Sequence, residues 1–189
     1  MNAFWISLFI VFIAEMGDKT QLVALAFATR FKATTVLWGV FLATLLIHLF
    51  SVLIGEAAAM ALPLFWIKLA AGVAFLGFGA WTLRGDELGP DDPAQKPSRF
   101  GPLMTVAVSF FLAELGDKTM LATITVASQQ RAFVPVWLGS TVGMVIADGL
   151  AIIVGKLLGK QLPERAIQYG AAAVFFLSGL WTIYSAFQK

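Results

Sequence analysis

The sequence predicts an all-α integral membrane protein, with six transmembrane helices arranged as two inverted three-helix repeats. Three observations carry this expectation. Of the 189 residues, 59% are hydrophobic and only 13% charged, where a soluble domain would carry about 25% charge; the mean hydropathy is +0.85. Six continuously apolar segments are long enough to cross a bilayer as helices, which takes roughly 20 residues each. The chain also repeats itself: Ala14-Glu15-Met16-Gly17-Asp18-Lys19-Thr20 returns as Ala113-Glu114-Leu115-Gly116-Asp117-Lys118-Thr119, 99 residues later.

The segments lie at about 3–29, 34–58, 63–84, 101–128, 134–158 and 164–187. None alternates with a two-residue period, so helices are expected rather than barrel strands. The first is apolar on both sides of its motif (Ala3–Ile13, Leu22–Ala28), and the fourth likewise (Leu103–Leu112, Leu121–Ala127). The second and fifth share Trp38 with Trp137, then Gly39 with Gly139 and Gly55 with Gly155. The third and sixth open after Pro63 and Pro163 and share Phe75 with Phe175. They close on Gly79-Ala80-Trp81-Thr82 and Gly179-Leu180-Trp181-Thr182. Residues 1–84 and 101–189 therefore form two related repeats, joined by a polar linker at 85–100 that contains Pro90, Pro93 and Pro97. Three is odd, so the second repeat enters the bilayer from the opposite side, the architecture of many secondary transporters.

Orientation follows from the basic residues. Arg30, Lys32, Arg84, Lys96, Arg99, Lys156, Lys160 and Arg165 fall on one face, against Lys68, Arg131 and Lys189 on the other. The richer face is expected in the cytoplasm, with the linker, and both termini outside. Met1–Phe12 has no basic n-region and aligns with a mid-chain segment, so a cleaved leader is not expected. A formal charge of +2 with no Lys/Arg cluster argues against a nucleic-acid partner. The absence of cysteine excludes disulfides, thiolate metal sites and cysteine nucleophiles. Gly139-xxx-Gly143 and Gly39-xxx-Ala43 are small-xxx-small patterns suited to close helix packing. Monomer and homodimer are both compatible with them.

The chemistry concentrates in the two motifs. Ionisable groups inside a membrane are costly and mark function. Positions i and i+3 share a helix face, so Glu15 and Asp18 are expected on one side of a helix, and Glu114 and Asp117 on one side of another. Where those helices cross, four carboxylates would meet near mid-membrane and need protons or a bound cation. With Lys19 and Lys118 they sum to −2, which one divalent ion balances. Gly17 and Gly116 permit an unwound turn that frees carbonyl oxygens. Thr20, Thr119 and Gln21 can add hydroxyl or amide oxygens, although Met120 stands where a second Gln21 would be. Such an oxygen site favours Mg2+, Ca2+ or Mn2+ over Zn2+ or Cu+. Protons replacing the departing metal on the same acids would couple the two fluxes. Asp148 and His48 occupy equivalent positions 100 residues apart. Asp148 is expected on the ion or proton route; His48 fits either a proton relay or a packing histidine.

Paired Glu-x-Gly-Asp-Lys-Thr motifs in the first helices of two three-helix repeats resemble the Gdt-type cation exchanger family, which includes bacterial manganese exporters of the MneA type and Golgi manganese/calcium–proton exchangers. The resemblance covers essentially the whole chain, and both motifs match without departure. It implies a transporter of the bacterial inner (plasma) membrane that exports Mn2+, and Ca2+ as a second cargo, in exchange for H+ or another cation. It also implies that the motifs form the ion pathway; the metal is cargo, and no cofactor is implied. Weighed against it are a small-solute exporter, a passive divalent-cation channel and an intramembrane aspartyl protease. The last uses Gly-x-Gly-Asp, whereas here Glu15 and Glu114 stand two residues before each glycine.

Overall fold

The computed structural model describes residues 2–84, 101–158 and 164–188. The expected linker at 85–100 lies outside the described residues, as does the side chain of Lys19. All regular structure among the described residues is helical: α1 (Ala3–Glu15), α2 (Lys19–Arg30), α3 (Ala33–Ala61), α4 (Leu64–Arg84), α5 (Pro102–Glu114), α6 (Lys118–Gln130), α7 (Phe133–Leu158) and α8 (Glu164–Phe187). Among the described residues, four stretches are long and apolar enough to cross a membrane: Ala33–Ala61, Leu64–Arg84, Phe133–Val154 and Tyr169–Phe187. These correspond to the second, third, fifth and sixth segments read from the sequence.

The first and fourth segments depart from that reading. Each was expected as one continuous helix, over 3–29 and 101–128, and each is two shorter helices with a tight turn between them. The cause is local. Gly17 and Gly116 sit at φ 75° and φ 77°, in the left-handed region that costs other L-residues about 1–2 kcal/mol and that glycine enters freely. Met16 and Leu115 before them are extended, with ψ 119° and ψ 112°, so the right-handed ladder stops and restarts.

The two halves pack crosswise. α1 lies against α7 and α5 against α3, while α4 and α8 form the most extensive pair. α3 also meets α7 and α6, and α2 meets α7. Within a half, α3 meets α4, and α5 meets α6, only lightly. Glycines allow the close approaches that the small-xxx-small patterns predict. A Cβ on Gly143 would stand 2.5 Å from the Leu8 carbonyl oxygen, and one on Gly39 2.6 Å from Val106 Cγ1. One on Gly139 would run into Ser7 and the Phe4 carbonyl.

Polarity is distributed inside out. Ser7, Thr44, His48, Ser51, Ser140 and Asp148 are buried, whereas Leu177 and Trp181 are each 69% exposed. Large exposed side chains along every long helix make up a broad apolar exterior. In water such a surface would aggregate; against acyl chains it is the ordinary outside of a helical membrane protein.

Candidate metal site

Both motifs fall on the breaks. Glu15 is the last residue of α1 and Glu114 the last of α5, while Asp18 and Asp117 are the N-cap residues of α2 and α6. The expected sharing of one helix face therefore does not apply. Glu15 and Asp18 belong to different helices, and the intervening turn, closed by Asp18 N–H on the Glu15 carbonyl at 3.0 Å, brings them together. The second motif turns the same way, with Asp117 N–H on the Glu114 carbonyl at 3.2 Å.

The position of each acid has a different electrostatic sense. A helix C-terminus carries partial negative charge and an N-terminus partial positive charge. Asp18 gains from its place, accepting from Thr20 N–H at 3.1 Å as an N-cap. Glu15 and Glu114 sit where the dipole opposes them. Two buried glutamates at unfavourable helix ends answer to something other than helix stability.

The glycine N–H groups freed at the breaks are both satisfied from one turn ahead. Gly17 N–H donates to Gln21 Oε1 at 3.0 Å, and Gly116 N–H to Met120 Sδ at 3.3 Å. The amide oxygen of Gln21, which the sequence reading offered to a metal, accepts from Gly17 in this structure. Its Nε2 donates to the Ala147 carbonyl at 3.3 Å, tying α2 to α7. Met120 performs the same task as Gln21 with a different acceptor.

Glu15, Asp18 and Glu114 are all buried, and one carboxylate oxygen from each lies within 4.8 Å of the others. Asp117 is buried at the head of α6, outside that close group. The second motif holds the acids of the first. Thr119 Oγ1 donates to Glu15 Oε2 at 3.2 Å, and buried Lys118 forms an ion pair with Asp18. Thr20 Oγ1 reaches both Glu15 Oε1 and Asp18 Oδ2, the latter at 2.8 Å.

Two further groups lie deep in the helices. Asp148 of α7 is fully buried, its two carboxylate oxygens make no hydrogen bond among the described residues, and its charge acts on Glu15 and Asp18. His48 of α3 is also fully buried, with Nδ1 3.4 Å from Thr141 Oγ1, and it is not part of the close acid group. Thr141 and the Ala147 carbonyl took no part in the sequence reading, since nothing in their local pattern distinguishes them from packing residues.

The three oxygens of the close group match the hard, oxygen-only chemistry of a divalent cation. Comparison with known proteins gives the family. A family model described as "Divalent cation/proton antiporter GDT1" matches residues 3–89 and 102–189. A Vibrio cholerae protein named "Putative manganese exporter" is 35% identical over 97% of this chain and 92% of its own. "GDT1-like protein 5" of Arabidopsis thaliana is 27% identical over 97% of this chain and 96% of its own. The Saccharomyces cerevisiae "Divalent cation/proton antiporter GDT1" is 24% identical over 99% of this chain and 85% of its own. No solved structure matches the chain. With both halves covered by the family model and the relatives aligned nearly end to end, the chain belongs to the GDT1 family of divalent cation/proton antiporters.

Proposed function

We propose that the protein exports Mn2+ from the cytoplasm in exchange for H+, with Ca2+ as a second cargo that the same oxygens accept. Six spans carry this out, with α1 plus α2 and α5 plus α6 counted as two broken ones. They form two inverted repeats, 1–84 and 101–189, in a bacterial inner membrane, with the 85–100 linker in the cytoplasm and the termini outside. The distribution of lysine and arginine supports this orientation. The name of the Vibrio cholerae relative supports the cargo, and that of the yeast relative the counter-ion.

One observation carries the site: three buried carboxylates, contributed by both halves at two helix breaks, gather their oxygens within 4.8 Å. Glu15, Asp18 and Glu114 take the metal, with Asp117 as the fourth motif acid. Lys19, Thr20, Gln21, Lys118, Thr119, Asp148 and His48 line the ion route. Crowded carboxylates in a low-dielectric interior repel strongly, so the cluster needs cations in every state. A divalent ion answers this when loaded, and protons with Lys118 when empty. Thr20 Oγ1 has one proton but touches a carboxylate oxygen of each acid, so a proton on Glu15 or Asp18 completes that hydrogen-bond set. Metal and protons then compete for the same atoms, which couples their movements.

Reconstituted vesicles test this directly. Acid-inside vesicles should accumulate Mn2+ faster than vesicles without a pH gradient, and Glu15→Gln or Glu114→Gln should abolish uptake. Equal uptake with and without the gradient would remove proton coupling. Full activity in both glutamine variants would remove the site.

A further inference from the structure

Four carboxylates were expected from the motifs alone, but only three of them form the close group. Asp148 is outside it as well, but its charge acts on two of the three members. Asp148 lies on α7, the helix on which α1 packs closely, with Gly143 against the Leu8 backbone. Gln21 Nε2 holds the Ala147 carbonyl, so the α7 backbone immediately before Asp148 is fixed to the first turn of α2, three residues from Asp18. Asp148 is fully buried, and both of its oxygens lack a hydrogen-bond partner among the described residues. An ionised carboxylate left so is very costly unless a cation reaches it. The charged groups it acts on, Glu15 and Asp18, are both acids and offer it no donor.

We propose that Asp148, rather than Asp117, joins the close group as the fourth carboxylate of the metal cage when the ion binds. This rests on reading Glu15, Asp18 and Glu114 as the transport site. The cage is then lopsided: three motif acids with one acid from α7. The equivalent position on α3 is His48, whose Nδ1 faces Thr141. Asp148 can turn toward the ion without cost in hydrogen bonds, since its oxygens make none among the described residues. It supplies the acceptor that the first-motif side lacks once Asp18 is shared with Lys118. A hard cation with six or more oxygen ligands gains from a carboxylate free to bind in either a monodentate or a bidentate way.

The test is Mn2+ binding to the purified full-length protein in detergent, followed by the loss of the free-ion paramagnetic resonance signal. Wild type is compared with Asp148→Asn, Asp148→Glu, Asp117→Asn and Glu15→Gln. Even outer-shell partners of a metal site cost about 10–100-fold in affinity when removed. Asp148→Asn should therefore weaken binding by about tenfold or more, Asp148→Glu should recover most of it, and Asp117→Asn should lose less. Wild-type affinity in Asp148→Asn overturns the assignment. If Glu15→Gln also binds normally, the cage itself fails; if only the Asp148 variants do, the fourth ligand alone fails. Should the Asp148 variants not fold, carbodiimide labelling of the wild type decides. Mn2+ is expected to protect Asp148, and equal labelling with and without Mn2+ overturns the proposal.

Discussion

Replacing Lys118 with methionine isolates the tie between the two motifs. The lysine side chain is 1% exposed and that of Asp18 0%, so the ion pair is shielded from water and salt. Removing one partner of such a pair costs about 3–5 kcal/mol, because the remaining charge stays buried. For a chain of this size each kcal/mol moves the unfolding midpoint by about 2–4 °C, which gives a fall of about 6–20 °C without metal. Saturating Mn2+ should restore more of the stability of Lys118→Met than it adds to wild type, since bound metal neutralises Asp18 and no lysine has to be displaced. The six tryptophans allow the transition to be followed by fluorescence in detergent. The double variant Lys118→Met with Asp18→Asn removes both charges and should be more stable than Lys118→Met alone. A single variant within about 1 kcal/mol of wild type, or a double variant no better than the single, would refute this role for the pair.

Three other expectations concern the breaks, the helix contacts and pH. A Cβ at Gly116 meets nothing within 4 Å, so Gly116→Ala should cost only the left-handed backbone penalty, about 1–2 kcal/mol, and Gly116→Asn should cost less; thermal unfolding compares them. A Cβ at Gly143 would meet the Leu8 carbonyl oxygen at 2.5 Å and Leu8 Cα at 3.2 Å. Gly143→Ala should therefore push α1 from α7, cost about 1–3 kcal/mol and slow Mn2+ uptake in vesicles. Mn2+ affinity should fall as the medium is acidified, because the ligand oxygens must be deprotonated to bind metal; titrations across a pH series that showed constant affinity would count against shared ligands.

The repeat, the four long helices and the glycine contacts could be read from the sequence because each leaves a one-dimensional trace, whether a fixed offset, a hydropathy run or a four-residue spacing. The helix breaks were half legible. Gly17 and Gly116 marked them, but unbroken apolarity on either side made a single span the simpler reading, since hydropathy does not register φ. That reading then placed Glu15 and Asp18 on a common face that does not exist. The ties between the motifs, Lys118 to Asp18 and Thr119 to Glu15, join residues about a hundred positions apart and left no local trace. Met120 shows a subtler limit. By residue type it breaks the symmetry with Gln21, yet both accept from the glycine four positions back. Equivalent work was done by dissimilar chemistry, which residue matching does not see.

The crosswise packing bears on whether either half can stand alone. Since α1 rests on α7 and α5 on α3, neither half contains the counterpart that its own glycine-lined grooves fit. A gene for one half alone would yield a product completed only by an identical twin, and halves made as separate chains should find each other again in one bilayer. By this packing neither half is a finished machine without the other.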